Sequence, residues 1–108
     1  MVLLMKGVGA LRSDNRDGIL TIFLMGDIDA LNATSIQQEI HEILKSQGDS
    51  SLVFDARELE YISSAGLRVI LTIQKQQRNR ISIINLSDDI MDIFKMAGFQ
   101  YLMELRGV

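Results

Sequence analysis

The chain has 108 residues, 47% hydrophobic and 23% charged, with a formal net charge of −3, which is the size and balance of one globular domain over residues 1–108. It contains no cysteine, which excludes disulfides, thiolate catalysis and cysteine zinc sites, and the mild acidity offers no basic face for nucleic acid. No apolar run approaches the roughly 20 residues of a membrane span, so no membrane insertion and a cytoplasmic location are expected.

In chain order, Met1-Val2-Leu3-Leu4-Met5 lacks a basic segment before it and is broken by Lys6. It reads as an N-terminal strand or a loose end, not a signal peptide. Val8 to Arg12 is a short apolar run, Ser13 to Gly18 is turn chemistry, and Ile19 to Met25 is a β-rich run. Together they predict a hairpin. Leu20, Ile22 and Leu24 share one face of the second strand and Ile19, Thr21, Phe23 and Met25 the other. Both faces are apolar enough to be at least partly covered. Gly26-Asp27-Ile28-Asp29 then leads into a helix whose apolar face is Ile36, Ile40, Ile43 and Leu44, starting at Asn32 or Ser35 and stopped by Gly48.

A strand is expected over Ser51 to Phe54, then a loop through Asp55 to Ile62, then a helix with Leu67, Ile70 and Leu71 on its apolar stripe. Ile81 to Leu86 is the next strand. Ser87-Asp88-Asp89 opens a third helix with Ile90, Ile93, Phe94 and Ala97 on one face, ended by Gly98. Tyr101 to Leu105 reads as a last short strand. This order predicts an α/β fold: a mixed sheet with an initial hairpin, then alternating parallel strands and helices joined by right-handed crossovers, with about three helices packed on it. Functional loops in such sheets lie at the carboxyl ends of strands, so Gly26–Asp29 and the serine loop are expected on one rim.

That serine loop, Tyr61-Ile62-Ser63-Ser64-Ala65-Gly66-Leu67-Arg68, carries the chemistry. Serine is favoured at an N-cap, and a helix N-terminus favours anions. A hydroxyl there could carry a phosphate with little electrostatic strain. Glycine costs a helix interior about 1 kcal/mol relative to alanine, so Gly66 implies a close approach to the backbone, expected to serve a partner more than the fold. A hydrolase would need a base, and the single histidine, His41, falls off its helix's apolar stripe and reads as a surface residue. There is no G-x-S-x-G elbow and no P-loop. Asp27, Asp29 and Asp55 are acids at or near strand ends, without the acid pair and lysine of a receiver-type Mg²⁺ site. Asp27 reads as a turn former, and Asp29 stays open. No catalytic residue, metal or cofactor is expected.

Gly26-Asp27-Ile28-Asp29, Asp55 and Leu59 to Leu71, supported by Asn85-Leu86-Ser87 and Ile93 to Phe99, resemble the STAS-domain anti-anti-sigma factors, also called anti-sigma factor antagonists. The resemblance covers roughly Val8 to Leu105 and implies a STAS-type sheet. It implies a partner-switching regulator whose unphosphorylated form binds a cognate anti-sigma factor that is also a serine kinase with a GHKL-type ATP site. The kinase phosphorylates a loop serine and is released, and a metal-dependent serine phosphatase resets the cycle. Aligned on the glycine, the acceptor falls on Ser64, with Ser63 as the second candidate, and the family's loop acid falls on Asp29. The implied partner surface is Asp29, Ser63, Ser64, Ala65, Gly66 and Arg68. The alternatives are a non-switching STAS subunit of a larger assembly such as a transporter, and a small hydrolase.

Overall fold

The computed structural model describes residues 11–108; Met1 to Met5 and most of the Val8–Arg12 run lie outside the described residues. The elements are β1 (Arg12–Arg16), β2 (Ile19–Ile28), α1 (Ala33–Leu44), β3 (Ser51–Ile62), α2 (Ser64–Lys75), β4 (Ser82–Leu86), α3 (Asp88–Met96), a 3₁₀ turn (Phe99–Tyr101) and β5 (Glu104–Gly107). The five strands lie in sequence order. β1 pairs antiparallel with β2, and every later neighbour is parallel.

Each parallel step moves one strand in the same direction, so right-handed crossovers put all three helices on one face. Leu20, Ile22, Leu24, Phe54 and Ile83 are buried on that face beneath Ile40, Ile70, Ile73 and Phe94. The opposite face of β2 is less covered than its composition suggests. Thr21 and Phe23 are half-buried, the latter under the Arg12 guanidinium 5.0 Å from its ring centroid, while Ile19 and Met25 are exposed.

The hairpin forms with a tighter turn than expected. Ser13 to Arg16 belong to β1, and only Asp17 and Gly18 turn, both with positive φ (54° and 77°). That backbone is the two-residue hairpin geometry that matches strand twist. Edge strands tolerate polar residues, so the polar run does not prevent pairing.

β2 and β3 both run further than expected. Asp55 to Ile62 are strand, not loop, and Gly26 and Asp27 belong to β2, which ends at Ile28. The buried positions of β3 are Leu52, Phe54, Ala56, Leu59 and Ile62. The register slips between the Phe23–Asp55 and Met25–Glu58 pairs and again between Gly26–Leu59 and Asp27–Tyr61. Each slip leaves an extra β3 residue, a bulge that shifts which side chains face inward. The last strand is β5 rather than Tyr101 to Leu105, because Phe99–Tyr101 form a 3₁₀ turn after Gly98.

Phe99 stands edge-on to Phe94, with ring centroids 5.4 Å apart and planes at 87°, which fixes the exit of α3 against the core. Phe94→Ala should therefore lower unfolding free energy by about 3–5 kcal/mol; denaturant titration at unchanged slope checks it, and a loss below that range would mean the site collapses around the smaller side chain.

Candidate functional site

The site is built where β2 and β3 end together. Ile28 and Ile62 are the last register pair, and the Ser63 amide donates to the Ile28 carbonyl at 2.9 Å. The chain leaves these adjacent ends at Asp29 and Ser63, so the two segments expected on one rim do lie on one rim.

The two serines have different jobs. Ser63 is the N-cap of α2, with extended backbone (φ −90°, ψ 176°), and its Oγ accepts from the Gly66 amide at 3.3 Å. It is half-buried. Ser64 is the first helical residue and is exposed. Among the described residues its hydroxyl has no hydrogen-bond partner. The N–H groups at this helix start lie at the positive end of the macrodipole. Arg68 lies one turn on, exposed, and makes no ion pair with a described residue. Ala65 is half-buried against the core.

Gly66 corrects the sequence reading. The close approach it permits is internal: a Cβ here would stand 2.6 Å from Ile62 Cγ1, 2.8 Å from Ile28 Cγ2 and 3.0 Å from the Ile28 carbonyl oxygen. Gly66 is buried, so its first duty is to let the start of α2 lie on the β2 and β3 ends. The fold itself needs the glycine.

Asp29 is the keystone of the neighbouring turn. Its Oδ1 accepts from the amides of Leu31 (2.9 Å) and Asn32 (3.2 Å), while Asn32 Oδ1 accepts from the Asp29 amide (2.9 Å). Asn32 Nδ2 also donates to the Asp27 carbonyl at 2.8 Å, and the Ala33 amide to the Asp29 carbonyl at 2.9 Å. This reciprocal arrangement works as a capping box does, although Asn32, not Asp29, immediately precedes α1. Asp29 is thus a turn former, whatever else it contacts. Asp27 is exposed on β2.

Asp55 does not join them. Because β3 continues to Ile62, Asp55 lies in mid-strand, accepting from the Arg57 amide (2.9 Å) and Asn85 Nδ2 (3.1 Å). Among the described residues no group of three His, Asp or Glu side chains is placed to hold a metal ion. His41 is half-buried, not simply solvated, and its Nε2 lies 2.9 Å from Gln76 Oε1, linking α1 to the end of α2. No hydrogen bond joins it to either serine among the described residues. An open groove of about 920 Å³ flanks α1, bordered by Met25, Asp27, Ile36 and His41 but by neither serine. Ser64 is exposed on the rim outside this groove.

Sequence reasoning missed Leu31. It is 94% exposed in the turn between Asp29 and Asn32. The available signal was a large aliphatic residue between the capping side chains of Asp29 and Asn32.

The STAS domain family model matches residues 10–107. BtrV of Bordetella bronchiseptica, named as an anti-sigma factor antagonist, is 34% identical over 92 residues, covering 82% of this chain and 78% of that protein. The chain belongs to the STAS domain family, among its anti-sigma factor antagonists. The Bacillus cell fate determinant SpoIIAA in its phosphorylated form has the same fold, with a TM-score of 0.63 at 19% identity, over 89% of this chain and 90% of that one. Its unphosphorylated form gives 0.67 at 16% identity, over 92% and 89%. The fold also occurs in the murine anion transporter Slc26a9, with a TM-score of 0.72 at 11% identity, over 90% of this chain but 17% of that one. Among the described residues no helix is long and apolar enough to cross a membrane.

Gly66→Ala tests the internal packing. The β-branched Ile28 and Ile62 cannot swing aside freely, so overpacking of about 1–3 kcal/mol should outweigh the helix gain of about 1 kcal/mol. A denaturant melt should place the variant below wild type; equal or greater stability would contradict the packing.

Proposed function

We propose that this protein is a partner-switching antagonist without catalysis of its own. Unphosphorylated, it binds an anti-sigma factor that is also a GHKL-type serine kinase. Phosphorylation of Ser64 releases that partner, and a metal-dependent serine phosphatase restores binding. The cycle operates in the cytoplasm. The observation that carries this reading is the difference between the serines: Ser64 is exposed at the first helical position, whereas the Ser63 oxygen is occupied as the cap. A kinase can reach Ser64 without undoing the helix start. The family membership supplies the partner class.

The physics of release is electrostatic. A phosphate adds about −1.5 to −2 charges and three acceptor oxygens. In the free protein the helix N-terminus tolerates that charge, and Arg68 lies one turn away. In a packed complex the same charge must be desolvated and meets surfaces that fitted a neutral hydroxyl. Asp29, Ser63, Ala65 and Arg68 complete the contact surface, with Gly66 beneath setting its shape.

A subunit role in a larger assembly is the second reading, favoured by the likeness to the transporter's domain. It makes Ser64 an ordinary helix-start residue and predicts no response to its modification.

Two variants separate these. Ser64→Asp should weaken kinase binding by at least about tenfold, or about 1.4 kcal/mol, in calorimetric titration. Its melting temperature should stay close to wild type, because an exposed charge at a helix N-terminus is neutral to favourable by about 0.3–1 kcal/mol. Ser64→Ala should bind and remain bound in the presence of ATP. Phosphopeptide mapping should find the modification on Ser64; a phosphate only on Ser63 would overturn the assignment.

A further inference from the structure

Leu31 is 94% exposed, more than Met96 (88%) or Tyr101 (76%). A single exposed leucine is ordinary on a protein surface. Its setting here is not. The backbone around it is held by the Asp29 carboxylate, which accepts from the Leu31 and Asn32 amides, and by the Asn32 side-chain amide, whose oxygen accepts from the Asp29 amide and whose nitrogen donates to the Asp27 carbonyl. The turn is consequently rigid while the side chain it presents touches almost nothing. Turns favour small and polar residues, so the apolar side chain serves no local purpose.

The turn's position supplies the purpose. Asp29 follows Ile28, whose carbonyl accepts from the Ser63 amide and whose strand partner is Ile62. Leu31 thus stands on the same rim as Ser64. An apolar side chain carried on a fixed backbone has only its own rotamer freedom to lose on binding, which lets most of its buried area count toward affinity. Interface energy concentrates in a few such anchors surrounded by polar contacts.

We propose that Leu31 is the apolar anchor of the partner interface, inserting into a leucine-sized apolar pocket on the kinase face that covers Ser64. The inference rests on the partner-switching reading. It divides the rim's work. Leu31 supplies attraction that is independent of phosphorylation, and Ser64 supplies the charge that overrides it. The asymmetry explains why the turn carries both an interlocked hydrogen-bond frame and an unsatisfied apolar side chain.

The test uses the full chain and the purified GHKL-type kinase that wild type binds in the absence of ATP, titrated by calorimetry. Leu31→Ala should weaken binding at least about tenfold, and Leu31→Met should retain most of the affinity. Met96→Ala, which removes an equally exposed apolar side chain at the end of α3, should bind as wild type does. All three should melt within a degree or two of wild type, since none of the altered side chains is buried. Kinase binding by Leu31→Ala equal to wild type overturns the anchor while leaving partner switching intact. A matching loss in Met96→Ala also overturns it, because the effect would then be general surface stickiness. A wild-type protein that binds no such kinase overturns both the anchor and the function on which it rests.

Discussion

The contact on which the rest depends is between Gly66 and the paired ends of β2 and β3. Side-chain-free backbone at Gly66 lets the start of α2 settle onto Ile28 and Ile62, where a methyl group would stand within 3.0 Å of three atoms. That approach aims the helix start, caps it with Ser63 and leaves Ser64 outward. Ser63 is tied by its amide to the Ile28 carbonyl, so the same few atoms that close the core also fix the position of Ser64.

Under the proposed function, that placement favours switching without unfolding. The Asp29–Asn32 frame holds one side of the rim, and the Ser63 cap with its Ile28 bond holds the other. Neither uses the Ser64 hydroxyl. A phosphate there has no described intramolecular bond to break, and the helix dipole favours its charge. The partner would bear the cost, through desolvation and lost fit.

Much of this was legible in the sequence. The alternation of strands and helices, the apolar faces of the helices and the serine cap before Ala65-Gly66 all follow from periodicity and capping chemistry, and the family resemblance rested on the same residues. The length of β3 was not legible. Its inward residues change from every second position to every third after Ala56, since bulges break the alternation that identifies a strand. Asp55 was misplaced for the same reason. The polar stretch Ser13–Arg16 looked like a turn because sequence does not reveal that it pairs as an edge. Gly66 signalled a close approach correctly, but two of the three nearest atoms belong to Ile28, distant in sequence, and no local pattern could name them. Leu31 looked unremarkable in the string, because its exposure comes from the frame that Asp29 and Asn32 build around it.

The most direct test of a rigid electrostatic switch is amide hydrogen exchange on the protein phosphorylated stoichiometrically at Ser64, with kinase affinity measured on the same sample. The account predicts protection in β2, β3 and α2 equal to that of the unmodified protein, together with a fall in affinity of at least about tenfold. Loss of protection through α2 would instead mean that the phosphate melts the helix start, and the switch would be one of order and disorder.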